Sequence, residues 1–553
     1  MPSSTRATSV AAVALLAAFA AQCLGAMRLQ SATFDEPAYV AAAWTSTTTD
    51  VDTNAAHPPL MKYLMAVPLA LVGPSPASET PLWSEALAKP RSFGASFLFE
   101  NRADPDAMLF AARSAVLVLS LLLGALVAVW AQRLYGAPAG LVALGLYAFC
   151  PNLLAHSSLA TLDLGVTAGV AAASYALWRA YRQPSWRSGA VAGVALGFAL
   201  LMKATALLLV ALLPLELAMA VLWHRRAAVA TATTSRRKKT GTPASRTPAL
   251  LLATAVALVA VLGVLEAGYG LGRFAEAFRD GVLNRAAYMK RDYQTFLWGR
   301  YSTDGFRWYF AAAFLLKTPI PTLVATLALP LWLARRWPRV FDEAFLALPV
   351  VAFFVATAFT RDDLGLRYLL PIYPLLYVLI AGMTVEIART VRARATAHPW
   401  RSRFAAVGGG VATLAYVGGT LATAPHHLAF FNGLVCGPGD GIRYLDDSNV
   451  DWGQDYKLLV RWLRERGIRD AKGLYHPYHL APFVARYYGL ALQPPTWAEI
   501  RRPTPGWYAI SAHLLQRPAL AHDPEHGPVR FDWLDRFTPV AKIGYSIYVY
   551  RFE

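Results

Sequence analysis

Long apolar runs alternate along this chain with short basic stretches and with three longer polar ones. Runs of roughly 20 apolar residues, the length needed to cross a bilayer core, occur at 8–28, 108–131, 137–157, 161–181, 188–203, 205–223, 249–270, 307–333, 343–360, 367–388 and 404–424. The pattern predicts an all-α polytopic membrane domain of about 11 transmembrane helices over residues 1–424. Lys203 interrupts the fifth and sixth runs, which are short enough to form one re-entrant hairpin without changing the alternation of faces. Pro319 and Pro321 predict a kink in the eighth run, with Lys317 facing a cavity or snorkelling. After about residue 425 the periodicity changes. Gln454–Arg466 reads as an amphipathic helix, and Trp507–Ser511 and Ile543–Tyr550 read as strands, predicting a small C-terminal α/β domain over 425–553.

Composition agrees with a membrane chain: 56% of the 553 residues are hydrophobic, and the mean hydropathy is +0.37. The formal net charge of +18 would suit a nucleic-acid partner if the cations formed a patch, but they sit in short loops between apolar runs. Arg133, Arg179, Arg182, Arg187, Arg335, Arg336, Arg339 and the clusters in 224–248 and 389–403 all fall on one face. That is the positive-inside signature, so this face is cytoplasmic and no nucleic acid is expected. The 224–248 stretch, rich in Thr, Ser, Arg and Lys, has the composition of a disordered loop that touches anionic membrane lipids. Loops 29–107 and 271–306 and everything after 425 then lie on the opposite, extracytoplasmic face. The first run reads as an uncleaved anchor, with a cleaved signal peptide as the alternative. Cys23, Cys150 and Cys436 are too far apart for a zinc ribbon or a disulfide scaffold.

The unusual polar residues gather in the extracytoplasmic loops. Asp35-Glu36 follows the first run, and His57-Pro58-Pro59-Leu60-Met61-Lys62 opens an apolar stretch too short to span, which reads as an interfacial helix. Lys62, in its first turn, adds a cation where free N–H groups already favour an anion. Asp163 lies at the mouth of the third and fourth runs. Each has a plainer reading: a helix-start acidic pair beside Pro37, a snorkelling lysine, and a helix cap shared with Thr161. Arg300, Arg307, Arg361 and Arg367 lie on the same face. Arg367 opens a span and is the first choice for a phosphate contact, with simple interfacial anchoring as its alternative.

Together, the acidic pair, the His-Pro-Pro-Leu-x-Lys turn and the Leu162-Asp163 step resemble the protein O-mannosyltransferase and lipid A aminoarabinose transferase group, which has the C-type fold of lipid-carrier-dependent glycosyltransferases. The resemblance covers about residues 1–390. Leu316-Lys317-Thr318-Pro319 and Arg367-Tyr368-Leu369-Leu370-Pro371-Ile372-Tyr373-Pro374 resemble bacterial members. It implies Asp35 as the catalytic carboxylate, Lys62 as a ligand of the carrier phosphate, and Asp163 as a second acidic residue on the acceptor side. Glu36 belongs to the motif without an assigned step, and His57 and Arg300 join Lys62 and Arg367 as donor-phosphate candidates.

The expected activity is an inverting hexosyl- or pentosyltransferase at the outer face of a bacterial cytoplasmic membrane. It would move a sugar from a polyprenyl-phosphate carrier to a hydroxyl of a lipid, glycan or protein. A carboxylate base and a cationic clamp supply what that transfer needs. The alternative is a transporter or flippase of a lipid-linked sugar, which would concentrate its acidic residues at mid-membrane. No motif demands a cofactor. The run Asp446-Asp447-Ser448-Asn449-Val450-Asp451-Trp452-Gly453-Gln454-Asp455 carries enough oxygen for a divalent cation, although its spacing is not that of an EF-hand, and it reads as a polar loop capping the next helix with Trp452 packed inward.

Overall fold

The structure is a computed structural model that describes residues 2–234, 246–289, 294–336, 341–517, 522–523, 527–528, 534 and 536–553. In chain order the helices of the first half are α1 (Pro2–Leu29), α2 (Glu36–Thr48), α3 (Leu60–Val72), α4 (Pro90–Phe99), α5 (Pro105–Tyr135), α6 (Ala137–Ala148), α7 (Pro151–Ser157), α8 (Asp163–Arg182), α9 (Trp186–Met202), α10 (Leu207–Thr234) and α11 (Thr247–Tyr269). They continue with α12 (Phe274–Met289), α13 (Tyr309–Lys317), α14 (Ile320–Arg336), α15 (Phe341–Thr357), α16 (Ile372–Ala393) and α17 (Pro399–Thr423). The molecule is a mostly helical, multi-pass membrane protein. Among the described residues six helices are long and apolar enough to cross a membrane, or seven if α6 and α7, bent by 64° at their junction, form one span. The run expected over 307–333 is two helices, because Thr318 is extended ahead of Pro319. The basic stretch 224–248 is helical at both ends, where α10 continues to Thr234 and α11 begins at Thr247. The remainder of the loop, 235–245, lies outside the described residues.

Helix ends sort by chemistry. At one end of the bundle, Arg182 pairs with Asp342, Arg336 reaches Glu343 at 2.8 Å, and Arg389 donates to the Tyr135 carbonyl at 3.0 Å. At the other end, α5 starts with Asp104, whose side chain accepts from the Ala107 N–H at 2.8 Å, and with Pro105 in its first turn. The α8 start, the α1 end and the short helices α2–α4 collect there too.

The C-terminal segment covers that second end. Residues 427–449 run as 3-10 turns, followed by α18 (Tyr456–Glu465), α19 (Ala481–Tyr488) and a four-stranded sheet. Besides the hairpin β1 (Thr295–Leu297) and β2 (Arg300–Ser302), the strands are β3 (Lys472–Leu474), β4 (Gly506–Ser511), β5 (His522–Asp523), β6 (Gly527–Pro528), β7 (Ala541–Ile543) and β8 (Ile547–Phe552). The four-stranded order is β3-β4-β8-β7, with β3 and β4 parallel and the other pairs antiparallel. The single strand expected over Ile543–Tyr550 is a hairpin, because Gly544 turns the chain with φ +58°. α19 docks on α4 through Phe483 and Phe99, with ring centroids 6.4 Å apart, and through Arg486 and Glu100 at 2.8 Å.

Close packing of α9 on α11 has a legible cause. Gly189, Gly193 and Gly197 recur every four residues and form one small-residue stripe. A Cβ on Gly189 or Gly193 would collide with the Ala253 or Ala257 carbonyl, and one on Gly197 would sit 2.7 Å from Val264 Cβ. Gly193→Leu is therefore expected to destabilise the pair by more than the usual overpacking cost of about 1–3 kcal/mol. Thermal unfolding of the purified protein in detergent would register this as a lower midpoint, while Gly408→Leu, at a position with open space, leaves it unchanged.

Candidate active site

Asp35 is the residue before α2, yet its side chain makes no cap bond to the helix. It turns instead to Arg367, with Oδ2 3.2 Å from Nη1. The same Nη1 lies 3.8 Å from Asp163 Oδ2, and Lys203 Nζ donates to Asp163 Oδ1 at 2.6 Å. Asp163 is thus neither a cap nor a lone charge: it bridges two cations. Lys203, which reads in sequence only as an interruption between two apolar runs, sits where α9 ends in an extended residue and delivers its ammonium to the cluster. Its Nζ lies 4.7 Å from the Tyr368 ring centroid, and the Arg367 guanidinium lies 5.4 Å from the same ring. The carboxylates differ in access: the Asp35 side chain is 18% exposed and that of Asp163 only 3%.

Glu36 points away from this cluster into the protein. Its Oε1 accepts from Arg113 Nε and the Ala160 N–H, both at 2.7 Å. Oε2 accepts from Arg113 Nη2 at 2.7 Å, the Thr33 N–H at 2.9 Å and Thr33 Oγ1 at 3.1 Å. Arg113 gives its remaining N–H groups to the carbonyls of Met27, Gln30 and Ser31. Burial alone would raise the Glu36 pKa, but the Arg113 charge and these bonds together hold it below the usual glutamate value.

Lys62 occupies the expected first turn of α3 but is fully buried. Its ammonium donates to Asp52 Oδ2 at 2.5 Å, to the His57 carbonyl at 3.0 Å and to the Asn54 carbonyl at 3.3 Å. All three donors are thus engaged in closing the 52–57 loop. His57 contributes its carbonyl to this closure, and its ring packs edge-on against Tyr39 at 5.8 Å. Arg300 is exposed on β2, and Arg307 and Arg361 are exposed as well; none of the hydrogen bonds or ion pairs of the carboxylate cluster reaches them. Lys317 neither faces a cavity nor snorkels. It is buried and donates to the carbonyls of Leu428 and Asn449, tying α13 to the C-terminal segment.

The aspartate-rich run is part of this site, although its sequence suggests a peripheral loop. The Phe34 N–H donates to the Trp452 carbonyl at 2.8 Å, Ser31 N–H to the Gln454 carbonyl at 2.9 Å, and Ser31 Oγ to the Gly453 carbonyl at 3.0 Å. Trp452 packs inward as expected, with its ring under the Arg367 guanidinium at 4.4 Å. Asp455 precedes α18 without a side-chain cap bond and is engaged instead by Ser546 at 2.7 Å. The aspartates diverge. Asp446 pairs with Arg517, and Asp451 accepts from Ser511 Oγ, the His513 N–H and the Gly453 N–H. Among the described residues no group of three or more His, Cys, Asp or Glu side chains is placed to share a metal ion. His476 and His479 complete the wall by packing on the Phe34 ring at 5.5 and 4.8 Å. Burial, with Arg91 adding to it and Asp35 opposing it, pushes His479 down to about 4, so a neutral imidazole lies on this side.

Comparison with known proteins bears on the fold that carries these residues. Residues 106–235 match the family model described as dolichyl-phosphate-mannose-protein mannosyltransferase. The crystal structure of ArnT from Cupriavidus metallidurans bound to undecaprenyl phosphate superposes with a TM-score of 0.50 at 15% identity, covering 97% of this chain and 97% of that chain. The fold is that of the C-type glycosyltransferases. The same ArnT in the apo state gives a TM-score of 0.49 at 14% identity over 99% of this chain and 98% of that one. An Archaeoglobus fulgidus oligosaccharyltransferase in the apo form gives 0.46 at 12% identity over 90% and 70%. A comparison with curated protein sequences finds no match.

In this C-type fold, breaking the Glu36–Arg113 pair from one side leaves an uncompensated buried charge. Glu36→Ala is expected to cost about 3–5 kcal/mol, read as lost thermal stability in detergent. The ionised Glu36 stabilises the fold above the ordinary carboxylate range, near pH 4.3, and that contribution disappears as pH falls through its lower folded value. Below that value, unfolding midpoints of the wild-type chain and Glu36→Gln should therefore converge.

Proposed function

We propose that the protein is a membrane glycosyltransferase that moves a sugar from a polyprenyl-phosphate carrier to an acceptor hydroxyl at the outer face of the cytoplasmic membrane, with inversion at the anomeric carbon. The observation that carries this reading is the Asp35–Arg367 pair. Asp35 Oδ1 accepts no hydrogen bond and Arg367 Nη2 donates none among the described residues, since Arg367 uses only Nε toward the Leu364 carbonyl and Nη1 toward Asp35. A partly open carboxylate and an uncommitted guanidinium edge, side by side, match a general base and a phosphate ligand. The ArnT structure that shares the fold is described as bound to undecaprenyl phosphate, and the matched family model is named for a dolichyl-phosphate sugar donor.

In the proposed step Asp35 takes the acceptor's hydroxyl proton as its oxygen attacks the anomeric carbon from the side opposite the phosphate. The bond from that carbon to the phosphate oxygen breaks, and the carrier phosphate departs with the electron pair. Arg367 and Lys203 balance the charge on the leaving phosphate, and Asp163 holds these two cations apart in the resting site. Lys62 joins the clamp only by releasing an acceptor. Asp52, whose side chain is 38% exposed, is the one free to move. The gathering of the acidic cluster at one end of the bundle supports transfer over transport, since a transporter's charges belong at mid-membrane.

Transfer from a radiolabelled polyprenyl-phosphate sugar by purified protein tests this. Asp35→Asn should lower the rate by about 100- to 10,000-fold while retaining donor binding; an unchanged rate refutes the general base. Lys62→Ala should weaken donor binding by about tenfold or more, the scale of one charge-assisted bond, and acceptor binding much less. Equal effects on both would remove Lys62 from the clamp.

A further inference from the structure

A cavity of 240 Å³ opens at the junction of α1, α5 and α18, and Arg113 is one of the residues that line it. Met27, Leu109 and Phe110 form its apolar wall, and Arg28, Gln30 and Lys457 its polar one. Two further charges line it, and both are already engaged. Arg113 spends all five N–H groups on Glu36 and on the Met27, Gln30 and Ser31 carbonyls. Asp106 accepts from Lys457 at 2.6 Å and from the Tyr488 hydroxyl at 2.8 Å.

What remains is a set of donors. The Arg28 guanidinium makes no hydrogen bond or ion pair among the described residues. Gln30 is 94% buried, being 6% exposed, yet its side-chain amide has no partner there either. Lys457 uses two of its three hydrogens, on Asp106 and on the Arg28 carbonyl at 3.0 Å. A guanidinium, an amide N–H and one ammonium hydrogen around a single cavity select an anion with several acceptor oxygens.

Height in the membrane selects the rest of the ligand. Arg28 is in the last turn of α1, and Asp106 is in the first turn of α5. Both helices are membrane-crossing candidates, and along their spans they expose Val10, Val13, Val118 and Leu122. A polar cavity with an apolar wall at the mouth of two such helices has the polarity order of a lipid, head at the boundary and tails below. We propose that this cavity binds the phosphate head of an anionic membrane lipid, at a site separate from the one assigned to the sugar donor. The inference does not rest on the transfer reading, because the cavity lining includes none of Asp35, Asp163, Lys203 and Arg367.

Native mass spectrometry of the full chain in detergent tests it, with phosphatidylglycerol, phosphatidylcholine or sn-glycerol 3-phosphate added in turn. The wild-type chain should retain one phosphatidylglycerol in preference to phosphatidylcholine. Arg28→Ala with Gln30→Leu should weaken that retention by about fivefold or more, the worth of one interfacial cation. Arg28→Ala alone, which removes an exposed and unbonded side chain, serves if the double variant does not fold. Equal retention of phosphatidylglycerol by wild type and variant, or of both phospholipids by the wild type, overturns the site. Binding of sn-glycerol 3-phosphate as tight as that of phosphatidylglycerol overturns the lipid assignment, since the tails would then contribute nothing.

Discussion

The buried Glu36–Arg113 pair is the constraint around which the rest of the site is arranged. Two charges removed from water carry a large desolvation cost, which is offset only when every hydrogen-bonding position is filled. Here they are filled by four separate pieces of chain: the α1 end, the start of α2, the body of α5 and the turn before α8, which gives the Ala160 N–H. Fixing those pieces fixes Asp35, the neighbour of Glu36, and brings Asp163, three residues beyond Ala160, toward it. The acidic pair thus divides its work. One carboxylate is saturated and holds the fold, and the other keeps an oxygen open.

The same distinction sorts the cations. Arg113, Lys62 and Lys317 are buried and donate to carboxylates and carbonyls; Arg113 and Lys317 tie remote segments together, and Lys62 closes the adjacent 52–57 loop. Arg367 is buried too, though at 8% exposed it is the most accessible of the four, and it is only partly engaged. Its position is held from below by Trp452 and from the sides by two aspartates at 3.2 and 3.8 Å. A buried guanidinium with unspent donors is costly unless something polar visits it, which is why the proposed chemistry centres there rather than on the better-bonded lysine.

The C-terminal segment is built into this end of the molecule rather than appended to it. Backbone bonds from Ser31 and Phe34 to Gln454 and Trp452 place residues more than 400 positions apart in one turn. Asn449 adds its own ties, accepting from the Leu366 N–H at 3.1 Å and donating to the Tyr309 hydroxyl at 2.9 Å. The wall over Asp35 therefore comes from a part of the chain remote in sequence from the motifs that carry Asp35, Asp163 and Arg367.

The sequence by itself determined the helical membrane class, the basic and acidic ends of the bundle, and Asp35, Asp163 and Arg367 as candidates. Each of these rests on local composition: apolar run length, the charge of short loops, and polar residues abutting a span. Tertiary structure alone decided which candidates meet. Lys203 reads as an interruption and Trp452 as a loop residue because their partners, Asp163 and Arg367, lie 40 and 85 positions away, and a pairing across packed helices leaves no periodic trace. Burial decided the rest: Lys62 and Glu36 sit in a motif that suggests open chemistry, but the cost of leaving a buried charge unpaired turned both inward onto partners of their own.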